Sequence, residues 1–218
     1  MEFLESWTEL TLLDLLRMLA PAGLLLISML LPSVRVARIA AVGVAITLPF
    51  VGELGVSPRL TLAWSALWLL IGWSARGREG VARRPLAATH LVLESGTVGL
   101  LLGVALSALL VAAVARQDLS PEEARRASYG VLLLMLGLVS LMLHGHARRA
   151  ALAFGSMGLG LQILENTARD AQVIETVEPG GAVLLATVLA VALVVRVAIS
   201  RERLAGTAWV SDAHDLHD

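Results

Sequence analysis

The chain has 218 residues, of which 57% are hydrophobic and 16% charged, and its mean hydropathy is +0.78. Soluble domains average roughly 45–50% apolar residues, so this composition excludes an ordinary water-soluble fold and points to a polytopic membrane protein. The chain has no cysteine and a net charge of −1, which excludes disulfides, thiolate metal sites and iron–sulfur ligation within it.

The opening "MEFLESWTEL" is acidic where the n-region of a signal peptide is basic, so no cleaved leader is expected. A helix needs about 20 apolar residues to cross the hydrocarbon core of a bilayer. Apolar blocks bounded by Arg, Pro or acidic residues predict an all-α membrane helix bundle with seven transmembrane helices. In chain order they are Leu10–Leu31, Val36–Leu54, Leu60–Ala75, Leu86–Ala115, Ala127–Leu143, Ala147–Ala168 and Gly180–Ile199. The second and third are short, and Pro49 is expected to kink or break the second. A six-span count, with one of these two fused or demoted, is the alternative. No internal repeat or low-complexity linker interrupts the chain, so residues 1–203 read as a single transmembrane domain and 204–218 as a short tail.

All 17 basic residues are Arg, and they divide unevenly between the two sides. With seven spans, one side receives 11: Arg35, Arg38, Arg76, Arg78, Arg83, Arg84, Arg148, Arg149, Arg196, Arg201 and Arg203. The other receives 6: Arg17, Arg59, Arg116, Arg125, Arg126 and Arg169. Cytoplasmic loops carry the excess of basic residues, so the N-terminus is expected outside and the C-terminus in the cytoplasm. Trp64, Trp68 and Trp73 on the third span and Tyr129 on the fifth read as interfacial or packing aromatics, with no chemistry assigned to them.

An ionisable side chain at the centre of a membrane helix costs about 2.5–3.5 kcal/mol on insertion scales, so each one is a candidate for function. In "THLVLESG", His90 and Glu94 are four residues apart with Thr97 near the same side. They make either a polar stripe in the membrane or a helix-end pair that reaches back to the headgroups. Gly99 and Gly103 form a G-x-x-x-G on the opposite face, suited to helix contact. In "LHGHARR", His144 and His146 diverge by about 200° on a continuing helix, a poor arrangement for shared metal binding. They read as interfacial residues, with proton uptake as the functional alternative. In "ARRAALAFGSMGLGLQILENTARD" no charge separates Arg149 from Glu165. Gly155, Gly158, Gln162 and Glu165 fall within one arc of roughly 80°. Glycine faces let helices approach closely, so Glu165 shares the side turned toward protein. Its alternative role is a helix-end cap paired with Arg169 at i+4, since it stands about 24 Å from Arg149 along the helix. In the tail "SDAHDLHD", His214 and His217 lack a closed set of metal ligands; docking on a cytoplasmic partner is the expectation.

The "ARR" that opens the sixth span, the glycine-bearing helix after it and Glu165-Asn166 together resemble the E membrane component of hydrogenase-4. That family belongs to the energy-converting hydrogenases related to complex I. The tail "SRERLAGTAWVSDAHDLHD" is similar to the family's C-terminal extension, with Gly206 and Thr207 at its Gly-Thr pair. The resemblance is clearest over residues 125–218; before that it rests on general layout, including "PRLTLAWSALWLLIGWSAR" as a third span. The three helices within 125–200 are in turn similar to the K subunit of complex I, in which carboxylates inside helices serve the membrane proton pathway. Arg148 and Arg149 match the family's basic pair and Glu165-Asn166 its Glu-Asn. The interval between them is longer here by about one helical turn, which moves Glu165 outward.

The resemblance implies a non-catalytic subunit in the membrane arm of a redox-driven ion-pumping complex, in a bacterial inner (plasma) membrane. Glu165, Glu94, His90 and His144 are the proton-pathway candidates, and Gly99, Gly103, Gly155 and Gly158 the helix-packing candidates. No cofactor is expected in this chain. Its partners would be antiporter-like membrane subunits, cytoplasmic redox subunits that carry the nickel–iron and iron–sulfur chemistry, and the lipid bilayer, with no nucleic acid among them. Three other functions compete: an autonomous small transporter, a purely structural assembly subunit, and an intramembrane enzyme using His90, Glu94, His144 and His146 around a metal.

Overall fold

The structure is a computed structural model that describes residues 11–31, 33–51, 56–75, 105, 119–143, 147–171 and 181–205. Those residues form six α-helices and no strand. They are α1 (Leu12–Leu30), α2 (Val34–Thr47), α3 (Pro58–Ser74), α4 (Pro121–Leu143), α5 (Ala147–Asp170) and α6 (Gly181–Ala205). The predicted fourth span, Leu86–Ala115, lies outside the described residues apart from Ala105, which is helical and exposed. The acidic N-terminus and the tail from Gly206 onward lie outside them too.

Local sequence explains most of the helix starts. Thr11, Ser33 and Ser57 each turn a side-chain oxygen to a backbone N–H of the helix that follows, at 3.2 Å (Asp14), 3.2 Å (Arg35) and 3.4 Å (Leu60). At Ser120 the exchange is reciprocal. Its hydroxyl accepts from the Glu123 N–H at 3.4 Å, while its own N–H donates to the Glu123 carboxylate at 2.8 Å. This capping box, with Pro121 in the first turn, starts α4 six residues before the predicted Ala127. At the other end of the chain α6 runs six residues past the predicted Ile199, to Ala205. Pro49 does not kink a continuing helix. α2 ends at Thr47 and a 3-10 turn, Leu48–Phe50, carries the proline, which has no N–H to offer an α-helical bond. Pro21, by contrast, is buried within α1 and does not end it.

Among the described residues, three helices are long and apolar enough to cross a membrane: Leu12–Leu30, Pro121–Met142 and Gly181–Arg203. At 14 and 17 residues, α2 and α3 are short of that length. α5 has 24 residues, about 36 Å of helix, but is too polar to be counted with the three. Its surroundings explain the polarity. α5 packs against α3, α4 and α6 and touches α2, so almost every position from Ala151 to Thr167 is buried or half-buried. The outside of the bundle is apolar: Leu13, Leu16 and Leu30 of α1 and Leu185, Leu189 and Leu193 of α6 are all more than half exposed.

α1, α3, α4 and α6 all run opposite to α5, so α3 and α4 point the same way. α4 and α5 run antiparallel, and a Cβ added to Gly137 would lie 2.6 Å from the carbonyl oxygen of Ala153. One added to Gly160 would lie 2.5 Å from the carbonyl oxygen of Gly130 and 2.6 Å from the Leu134 nitrogen. Between these two points Ser156 donates its hydroxyl to the Leu133 carbonyl across the helix pair at 2.6 Å. Trp64 and Trp68 are fully buried in the core, whereas Trp73 at the end of α3 is 64% exposed. Tyr129 is buried as well, because α4 has already completed two turns before reaching it.

The glycines separate into two classes with different expected behaviour. Gly137→Ala should destabilise the bundle by about 1–3 kcal/mol, because the new methyl meets backbone. Gly23→Ala, with nothing within 4 Å, should be neutral or stabilising by about 0.5–1 kcal/mol. Thermal unfolding of both variants in the same detergent checks this, and equal midpoints would contradict the packing described.

Candidate functional site

Polar side chains gather at the two ends of α5, and between them its residues are small or apolar apart from Ser156. At the N-terminal end Arg148 and Arg149 follow directly on the helix start and diverge by about 100°, so they serve different neighbours. Arg148 pairs with the Glu202 carboxylate of α6 through Nε and Nη2, and its Nη1 donates to the Ser74 carbonyl at the end of α3. Arg149 is buried, and its Nη2 donates to the Ser28 carbonyl and, at 2.9 Å, to the Leu31 carbonyl at the end of α1. The last carbonyls of a helix have no partner within it and carry the negative end of its dipole, so a guanidinium is a fitting cap. Two adjacent arginines thus bind the C-terminal ends of α1, α3 and α6 to the start of α5.

The C-terminal end of α5 holds the second set. Gln162 is fully buried, and its Nε2 donates to Glu165 Oε2 and to Asn166 Oδ1, each at 3.2 Å. The other carboxylate oxygen of Glu165 accepts from Arg169 Nη2. Thr167 is buried and turns its hydroxyl back to the Ile163 carbonyl at 2.8 Å. One turn further out, Asp170 meets Arg126 of α4 at 2.9 Å, and Arg126 also pairs with Glu122. Glu165 is therefore half-buried between a guanidinium and a carboxamide. It is the innermost carboxylate of a polar stripe running from Gln162 to the helix end. The Gln162 Oε1 is buried with no hydrogen-bond partner among the described residues.

The glycines that share this helix face different neighbours. A Cβ on Gly155 would sit 2.7 Å from Ile71 Cδ1 and 3.3 Å from Trp68 Cη2 of α3. One on Gly158 would sit 2.0 Å from Thr187 Oγ1 of α6. The remaining sequence candidates, His90, Glu94, Gly99, Gly103, His144, His146, His214 and His217, lie outside the described residues. Among the described residues no group of three His, Asp or Glu side chains could hold a metal ion. Sequence reasoning passed over Gly130, Gly137 and Gly160, although the seven-residue spacing of the first two puts them on one face of α4. It also passed over Glu202 as the partner of Arg148; nothing in the sequence marks a carboxylate 54 residues away as the partner.

Arg149→Gln should lower stability by about 1–3 kcal/mol, because the Ser28 and Leu31 carbonyls lose a buried charged donor. Arg38→Gln, at an exposed position of α2, should change it by less than about 0.5 kcal/mol. Denaturant midpoints in detergent would compare them, and a silent Arg149→Gln would show that this contact holds nothing together.

No protein-family model, no curated protein and no solved structure matches the chain, so the site stands on the geometry of its own residues.

Proposed function

We propose that the chain is a non-catalytic, multi-pass subunit of a larger membrane complex, of the redox-driven, ion-pumping kind that its resemblance to hydrogenase-4 component E implies. The observation that carries this reading is the distribution of polar groups in α5. The helix is enclosed by others whose outer faces are apolar, and its polar residues are spent at its two ends. A transporter of this size would instead place its binding groups near mid-depth, on broken helices.

In this proposal the chain crosses the membrane seven times. Support comes from the ends of the described helices. α3 finishes beside Arg148, at the start of α5, and α4 begins beside Asp170, at the other end of α5. These points are 22 residues apart on one helix, about 33 Å. In the proposal the intervening chain joins these opposite ends with one crossing. The uncharged run after Glu94 in the predicted span Leu86–Ala115 is long enough for one. The end that gathers Arg148, Arg149 and the starts and ends carrying Arg35, Arg38, Arg201 and Arg203 is then cytoplasmic, with the N-terminus outside. Reporter fusions after Ser57 and at Asp218 are expected on opposite sides, outside and cytoplasmic respectively. A shared side would end the seven-span proposal.

Two readings of Glu165 follow, and each has an observation behind it. Its place beside buried Gln162 and Asn166 supports a part in a proton path. Its pairing with Arg169, one turn toward the helix end, supports a purely structural subunit in which the carboxylate fastens α5. Glu165→Gln separates them. In a proton path it preserves assembly and slows or uncouples proton movement by the intact complex, whereas in a structural role coupling stays at the wild-type level for equal subunit content. Proton pumping by vesicles holding the assembled variant complex is the measurement.

A further inference from the structure

Among the arginines of α6, Arg196 lies furthest from the helix end. It is exposed on α6, on a face otherwise made of Leu189, Leu193 and Val197, which are 62%, 64% and 47% exposed. No hydrogen bond or ion pair joins it to another described residue, whereas nearby Glu202 is taken by Arg148. The packing of α6 on α5 fixes its depth. Thr187 lies over Gly158, near the middle of α5, and Glu202 meets Arg148 at the end. Arg196 is nine residues beyond the first and six before the second, hence about 13 Å from mid-depth and about 9 Å inside the helix-end contact. Half of a hydrocarbon core is about 15 Å, so Arg196 sits at the boundary between acyl chains and headgroups.

The spacing along α6 adds to this. Leu189, Arg196 and Arg203 follow one another at seven-residue intervals, each turned by only about 20° from the last. Arg203 is also exposed. The stripe therefore passes from apolar side chains to one guanidinium at the boundary and a second about 10 Å further out. That sequence of chemistry matches a lipid with a negative headgroup. A guanidinium offers a planar, paired set of donors to a phosphate, stays charged, and can extend toward the headgroup while its stem lies along apolar surface.

We propose that the outward face of α6 binds an anionic phospholipid, with Arg196 on the phosphate, Arg203 on the outer side of the headgroup, and acyl chains along Leu189 and Leu193. This is independent of the complex to which the chain belongs. An acidic side chain from a partner subunit would occupy Arg196 without giving the isolated chain any lipid preference, so the lipid reading is distinguishable from it.

The test uses the full chain reconstituted in phosphatidylcholine vesicles with a minor fraction of spin-labelled lipid, comparing labelled phosphatidylglycerol with labelled phosphatidylcholine. Motionally restricted phosphatidylglycerol should exceed phosphatidylcholine, and the excess should shrink as salt is raised. A guanidinium in direct contact with an anionic headgroup contributes about 1 kcal/mol, so Arg196→Gln should reduce the relative affinity by about fivefold and the pair with Arg203→Gln further. Arg59→Gln, exposed at the opposite rim, should leave the preference unchanged, and Arg196→Lys should retain part of it. Equal affinity of the wild-type chain for both lipids overturns the proposal. A preference that survives Arg196→Gln with Arg203→Gln overturns it as well.

Discussion

The backbone contact between α4 and α5 is the constraint on which the rest of the bundle depends. Gly130, Gly137 and Gly160 bring the two main chains so close that a single added methyl group would meet a carbonyl oxygen. In a bilayer, lipid tails are as apolar as leucine, and helices associate through such close packing and through polar contacts. Ser156 supplies one of these contacts between the two glycine crossings. With α4 held on one side, α3 settles on Gly155 and α6 on Gly158, and α5 becomes the enclosed helix, with Leu161 its one exposed residue between Ala151 and Thr167. Only such a helix can carry Gln162, Asn166 and Thr167 on its buried side.

Polarity and enclosure are linked across the whole bundle. Of the three helices apolar enough to cross a membrane, α6 is the most apolar and has the smallest share of its surface buried by protein, while α4 is the least apolar and the most buried. α5 extends the trend: it is enclosed, and too polar to stand with them. The solvent that each helix meets sets the composition it needs. Hydropathy thus follows how far a helix is covered by its neighbours, and α5, the most enclosed, scores lowest on it.

The residue pattern made the helical class and six of the helix positions legible, because apolar runs and their polar boundaries report directly on spans. What it hid are features that depend on partners. The charged opening of α4, Pro121 to Arg126, reads as a loop by charge, yet Ser120 and Glu123 already spell a capping box. Trp64, Trp68 and Tyr129 are aromatic in every environment, and only packing decides whether they face a headgroup or a core. For Glu165, spacing gave both the shared face with Gln162 and the i+4 pairing with Arg169, and the structure contains both at once. The arginine pair was legible as a basic boundary; that it grips three other helices was not.

That grip has a bearing on how the chain reaches its final form. Arg149 is separated from the Ser28 and Leu31 carbonyls by 121 and 118 residues, and Arg148 from the Ser74 carbonyl by 74. During synthesis the ends of α1 and α3 are complete long before the residues that cap them exist. Until α5 emerges, those carbonyls lack the guanidinium partners that they have in the finished bundle. α1, α2 and α3 pack on one another without α5, but the caps on the ends of α1 and α3 form only once it is in place. Two consecutive residues of the second half, Arg148 and Arg149, complete the ends of helices made in the first.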